Sequence, residues 1–228
     1  MFSLPSRGRP HNLRRFLDAY KATHAAAPVW VRLDADDPAL ADYNAIALPD
    51  HWLKTVGPRL PTRCNGCVAE MFETFPDEDC YGLMADDLIP RTVGWDRELI
   101  YAAGHDGLAY GDDLLHGVNL ATHPVLGGEF VRAIGWLVLP TVLHSFVDTA
   151  LHLIAMKCAR ARYCPNVIVE HMHPLATTPD GKPKAPTDAT YRWHTTYTED
   201  EEAFRRWKAA ELDSVVQRVS AYFETRTV

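Results

Sequence analysis

Short apolar runs alternate with polar breaks along the chain. Phe2-Ser3-Leu4-Pro5-Ser6 reads as a first strand and Arg7-Gly8-Arg9-Pro10 as the loop after it. Leu13, Phe16, Leu17 and Tyr20 recur at three- and four-residue spacing, which predicts a helix from about His11 to Thr23 with one buried face. Arg14 and Arg15 fall on its other side. Val29-Trp30-Val31-Arg32-Leu33 predicts a second strand, ending in Asp34-Ala35-Asp36-Asp37-Pro38. Strand, helix and strand at this spacing form a βαβ unit, which implies a parallel sheet with a right-handed crossover.

The pattern continues as α/β. Leu53-Lys54-Thr55-Val56 predicts a short third strand, and a helix is expected from Asn65, read as its N-cap, to about Phe75. Tyr81-Gly82-Leu83-Met84 predicts a buried strand that leaves the sheet at Ala85-Asp86-Asp87. Ile89 to Asp96 reads as a loop, Trp95 to Ala103 as a helix, and Leu108-Ala109-Tyr110-Gly111 as a strand ending in Asp112-Asp113. Helices are expected after the Gly127-Gly128 pair and from Phe146 to Ala159, then a strand over Val167-Ile168-Val169-Glu170-His171-Met172-His173-Pro174. The polar, proline-rich run from Thr177 to Asp188 reads as a mobile loop long enough to act as a lid. Thr198-Glu199-Asp200-Glu201 fits a capping box opening one helix to about Phe223, with Phe204, Trp207, Leu212, Val215, Val219 and Tyr222 near one face. No internal repeat is visible.

Composition narrows the class. A chain of 228 residues holds one well-cored domain, and 47% hydrophobic with 23% charged residues is ordinary for a soluble globule. The N-terminus lacks a basic region followed by a long apolar run, so no signal peptide is expected. The most apolar stretch, Ala133 to Ala159, is broken by Pro140, His144, Asp148 and His152, so no membrane span is expected. A cytoplasmic, reducing setting follows, with the five cysteines as free thiols, the Cys64-x-x-Cys67 pair included. A net charge of −7 argues against a surface coated in phosphate contacts, although Arg14, Arg15, Arg160 and Arg162 could form a local basic patch.

The candidate chemistry gathers where strands end, which is where ligands bind in such sheets. Two adjacent carboxylates on a rigid strand tip are costly unless a cation sits on them, and the fitting cation is a hard one, Mg²⁺ or Mn²⁺, shared with substrate phosphates. Asp86 and Asp87 form the first such pair; Asp112 and Asp113 rank second. Gly8 lets the backbone approach a ligand, Arg7 and Arg9 can face phosphate, and the Asp34 to Asp37 cluster can bond ribose hydroxyls. Arg63, just before a helix N-terminus, is a candidate phosphate contact, and Lys182 and Lys184 could reach a diphosphate when the lid closes. Asp148, opening a helix on the same face as His144, suits a general base. His171 and His173, two apart on a strand, point to one side, where one of them could complete the metal shell.

In that order, the motifs resemble the glycosyltransferases of the GT-A fold, specifically the short family-2-like enzymes of phages and prophages. The resemblance rests on Pro5-Ser6-Arg7-Gly8-Arg9-Pro10, Asp36-Asp37-Pro38, Arg63-Cys64-Asn65, Ala85-Asp86-Asp87, Thr92-Val93-Gly94-Trp95-Asp96, Tyr110-Gly111-Asp112-Asp113, His144-Ser145-Phe146-Val147-Asp148 and Glu170-His171-Met172-His173-Pro174, across roughly residues 1 to 207. It implies a Rossmann-like three-layer domain, with a nucleotide-binding half to about residue 115, an acceptor and metal-completing half to about 198, and a C-terminal helix. The implied donor is a nucleotide-diphosphate sugar, most often of uridine diphosphate. The implied cofactor is Mn²⁺ or Mg²⁺ on Asp87 with His171 or His173. Asp86 would face the sugar or ribose, and Pro5, Ser6, Arg7, Arg9 and Asp36 would line the donor pocket with Arg63 and Asn65 near it. Asp148 would be the base of an inverting transfer. The motif departs from a full Asp-x-Asp, since its first acid is Ala85. A hydroxymethylated pyrimidine of phage DNA, a glycan and a protein are the candidate acceptors. The competing readings are a nucleotidyltransferase, for which Ser6-Arg7-Gly8-Arg9 is a poor glycine-rich loop, a metal-dependent phosphohydrolase, and a nucleotide-sugar-binding protein without catalysis.

Overall fold

The structure, a computed structural model, describes residues 1–187 and 197–226, with the backbone alone of Arg63. Asp188, last in the expected lid, lies outside the described residues, as does the Arg63 side chain. One eight-stranded sheet carries the domain: β1 (Phe2–Ser6), β2 (Val29–Asp34), β3 (Leu53–Gly57), β4 (Cys80–Leu83), β5 (Leu88–Pro90), β6 (Leu108–Asp112), β7 (Val125–Gly127) and β8 (Ala161–His171), in the order β3-β2-β1-β4-β7-β6-β8-β5. The first four are mutually parallel, as the βαβ pattern requires. The sheet as a whole is mixed rather than parallel, because β7 runs antiparallel to β4 and β6, and β5 antiparallel to β8. Both reversed strands are three residues long, too short to show a period of two in sequence.

Helices cover both faces, giving the three layers expected of an α/β domain. On one side α1 (Pro10–Ala22) and α4 (Trp95–Ala103) bury Leu13, Phe16, Leu17, Trp95 and Leu99 against Phe2, Leu4, Val29, Val31 and Leu33. The short α2 (Leu40–Asn44), not foreseen, adds Tyr43 there. On the other side α3 (Arg63–Thr74), α5 (Gly128–Ile134), α6 (Val147–Lys157), α7 (Tyr197–Ala210) and α8 (Leu212–Glu224) build a core on Trp30, Tyr81, Leu108, Tyr110 and Leu126. Among the described residues no helix is long and apolar enough to cross a membrane.

Trp95 is fully buried with its ring 5.6 Å from that of Phe2. Trp95→Ala should therefore remove about 3–5 kcal/mol of stability, read as a fall in the denaturant midpoint without a change of slope.

Several expectations are corrected. Helix α3 starts at Arg63, with Thr62 in the cap position, so Asn65 is inside the helix and is not its N-cap. Strand β8 begins six residues before Val167; Pro165, with no N–H to give a ladder, falls where the pairing with β6 slips between Gly111 and Asp112. Gly111 permits that slip, since any Cβ there would strike the Val167 carbonyl. The single C-terminal helix is two, broken at Glu211 (φ −123°, ψ −25°). Of the arginines expected in a basic patch, Arg160 and Arg162 both pair with Asp106, at the end of β8 opposite His171, and Arg160 also lies over the Phe223 ring.

Candidate functional site

Strand β4 ends at Leu83, and the chain turns through Met84 to Asp87 before entering β5. The turn is tied to both neighbours. Met84 N–H donates to the Ser3 carbonyl at 3.0 Å, and Met172 N–H to the Asp87 carbonyl at 2.8 Å. Pairing of β5 with β8 sets Leu88 opposite His171, and this register carries the imidazole to Asp87, with Nε2 3.6 Å from Oδ1.

Asp86 is 5% exposed. It accepts hydrogen bonds from Ser6 Oγ and, at 3.4 Å, from Arg9 Nη1 and Asn12 Nδ2. Burial, then the neighbouring charge of Asp87, raises its pKa against the pull of Arg9, Ser6 and Asn12. The buried Arg9 guanidinium also lies 3.9 Å from Asp87, so one cation faces two carboxylates. Tyr43 completes this wall: its hydroxyl is 2.6 Å from Ser6 Oγ and accepts the Arg9 N–H at 2.8 Å. Tyr43 and Asn12 were not foreseen in the sequence, because an apolar helix face says nothing of what its polar tips touch. Pro5 precedes this cluster in β1.

Arg7 leans the other way. Its guanidinium binds Asp34 at 3.0 Å and Asp36 at 2.6 Å, so it and Asp36 are joined to each other at the ends of β1 and β2. Asp37 supports the same loop, accepting Gly8 N–H at 2.8 Å. Gly8 takes φ +68°, with open space where a Cβ would stand.

Asn65 is buried, and its Nδ2 has no hydrogen-bond partner among the described residues. Beside it the Cys64 thiol lies 3.1 Å from His144 Nδ1, joining α3 to the segment before α6. Burial pushes Cys64 up to about 12 and Cys67 up to about 11, and all five cysteines are free thiols. His144 precedes α6, which starts at Val147, so it does not share a helical face with Asp148.

Asp148 stands in the first turn of α6, where its Oδ1 accepts the Thr149 N–H at 2.7 Å. Burial raises its pKa, offset by Thr149 and by the charges of His116 and His171. The charges of Asp87, Asp113 and Asp148 all act on His171. The helix-borne carboxylate therefore shares one electrostatic neighbourhood with the β4 tip. His123 joins it, held down to about 3 by burial and then by the charge of His171.

The second acidic pair is occupied within the protein. Asp113 takes N–H bonds from Leu115, His116 and Gly117, plus the His116 ring at 2.9 Å and Thr122 Oγ1 at 3.0 Å, which overcome burial and hold its pKa well below the usual range. Asp112 accepts Leu114 N–H. His173 lies past the end of β8, its ring 5.2 Å from that of His171 and its Nδ1 accepting Leu175 N–H at 3.1 Å. An Nδ1 used as acceptor places the ring proton of His173 on Nε2. The lysines of the expected lid are engaged elsewhere: Lys184 with Glu170 at 2.7 Å, and Lys182 with Asp180 at 2.8 Å.

Among the described residues no three His, Cys, Asp or Glu side chains meet as a ready-made metal cluster. A hard divalent ion does not require one, since Mg²⁺ and its like are held by one or two carboxylates and the phosphates of a substrate. The donors at the β4 tip suit that ion. Two crowded buried carboxylates stand beside an imidazole whose Nδ1 is itself buried without a hydrogen-bond partner among the described residues.

Burial opposes charge on His171, but Asp87 together with Asp113 and Asp148 outweighs it and the pKa is raised above 6.5. The stabilisation that His171 contributes is then complete below pH 6.5 and fades as pH rises through the raised value. The melting-temperature gap between wild type and His171→Gln, followed from pH 5.5 to 9 without metal, is expected to narrow with rising pH; a constant gap would show that folding leaves the His171 pKa unshifted, and a gap that moves the other way that His171 is held uncharged.

No protein-family model and no curated protein matches the sequence. Solved structures do match in fold. Over 99% of this chain and 74% of the other, it superposes on a mannosyltransferase from Pyrobaculum calidifontis in complex with GDP-Man and Mn²⁺, with TM-score 0.56 and 9% identity. A mycobacterial protein matches over 77% of this chain and 68% of its own, with TM-score 0.53 and 12% identity. The mixed α/β sheet flanked by helices is the Rossmann-like GT-A fold expected from the sequence.

Proposed function

We propose that this protein is a metal-dependent glycosyltransferase that moves a sugar from a nucleoside-diphosphate donor to a hydroxyl acceptor with inversion. The observation that carries the reading is the β5–β8 register, which brings His171 to Asp87 beside the buried Asp86 and within electrostatic reach of Asp148. The solved mannosyltransferase of the same fold, with its nucleotide sugar and Mn²⁺, supports it.

Asp87 and His171 would hold the Mn²⁺ or Mg²⁺, which when bound offsets the charge that gathers on a leaving diphosphate. Ser6, Arg9 and Asn12 keep Asp86 in place to face the donor's ribose or sugar, while Asn65 offers its amide to the same pocket. Asp148 takes the proton of the acceptor hydroxyl as that oxygen bonds to the anomeric carbon and the bond to the diphosphate breaks. Its raised pKa brings it closer to the operating pH, which favours a general base. The donor is taken as a uridine-diphosphate sugar, with guanosine-diphosphate sugars as the comparison. Acceptors to test are hydroxymethylated pyrimidine DNA, glycans and proteins.

A thermal-shift series with both nucleotide families, each with and without Mn²⁺, tests this. Donor at about 100 times its Kd should add about 2.7 kcal/mol of stability, and only with the metal present. Release of the nucleoside diphosphate from the stabilising donor then identifies the transferase. Pyrophosphate release would point instead to a nucleotidyltransferase, and binding without turnover to a non-catalytic protein.

A further inference from the structure

We propose that Asp200 is a positioning residue for Asp148, a role that rests on reading Asp148 as the base. Asp200 lies in the first turn of α7 and is 1% exposed. Its carboxylate is spent on a distant segment. Oδ1 accepts Leu143 N–H at 2.7 Å, and Oδ2 accepts His144 N–H at 3.0 Å and Ser145 N–H at 2.8 Å. Three successive amides converging on one anion make a nest, here filled by the protein's own side chain. Removing the carboxylate would take the acceptor from three part-buried amides at once, so the charge is tied to this loop geometry.

The loop leads directly into the base. Phe146, next in the chain, takes φ +68°, an uncommon conformation for a bulky residue that persists only where its surroundings enforce it. Those surroundings come from α7 as well: the Phe146 ring stacks on Phe204 at 5.2 Å and 14°, and meets Tyr197 at 5.2 Å. Cys64 holds His144 from α3 on the other side. The helix then starts at Val147, and Asp148 follows with Oδ1 fixed by Thr149, which leaves Oδ2 to take a proton. Each helical residue turns the side-chain direction by about 100°. An entry segment allowed to slip would thus aim Asp148 away from the acceptor.

The test compares Asp200→Asn with Val215→Ala, a buried position in α8 that serves only packing. An asparagine offers one acceptor oxygen and turns an NH₂ towards the remaining amides. It should lower kcat about tenfold to a hundredfold with the donor KM changed less than about twofold, and it should move the Thr149 backbone amide signal in ¹⁵N spectra. Val215→Ala should lower the melting temperature and leave kcat and that signal in place. Asp200→Asn behaving like Val215→Ala overturns the proposal. Should Asp200→Asn fail to fold, Asp200→Glu keeps the charge, displaces the nest by one methylene, and is expected to give the same two changes. If the wild type transfers no sugar, the transferase reading fails on its own. The Thr149 signal then decides the positioning role, supporting it if moved only by the Asp200 variants and overturning it if unmoved.

Discussion

Asp148→Asn is expected to lower kcat by about 10²- to 10⁴-fold while donor binding stays within about twofold of wild type. The amide preserves the shape of the side chain and can still accept the Thr149 N–H, so α6 keeps its start. It cannot take a proton. Asp148 titrates above the ordinary carboxylate range because of burial, and kcat in the wild type should rise with pH through that raised value. The limb should vanish from whatever activity the variant retains. Unchanged turnover in Asp148→Asn would remove it from the role and direct attention to the other carboxylates that act on His171.

Asp87→Asn is expected to fail differently, losing about 10²- to 10³-fold in kcat together with Mn²⁺-dependent donor binding. Arg9 and His171 both face Asp87, and Asp86 is strained by its charge. Removing that charge should let the Asp86 pKa fall, measurable by carboxyl NMR titration. The metal-free protein should therefore stay folded while its response to manganese disappears. Equal Mn²⁺ stabilisation of variant and wild type would place the ion elsewhere.

Much of the frame was legible in the sequence because it rests on local periodicity. The α1 face, β1, β2 and the span of α4 follow from apolar spacing and glycine punctuation alone. The Asp86-Asp87 tip was legible too, since two acids after a buried strand are a local feature. What brings His171 to it was not. That meeting depends on β5, three residues ending in proline, pairing with a strand some eighty positions later. Nothing in Leu88-Ile89-Pro90 predicts a partner. Tyr43 and Asn12 were hidden for a related reason, as their polar atoms gain meaning only when α1 and α2 close over β1. A string also hides which charges are paired in space: Arg7 with Asp34 and Asp36, Lys184 with Glu170, Arg160 and Arg162 with Asp106, and Asp113 with its own loop.

The central claim, that a divalent cation held at the end of β4 grips the diphosphate of an activated sugar, is tested most directly by a crystal grown with Mn²⁺ and uridine or guanosine diphosphate. An anomalous manganese peak between Asp87 and His171, with the diphosphate against it and the nucleoside towards Ser6 and Asn65, is the predicted result. Nucleotide bound at another place, with no manganese at Asp87, would contradict the account.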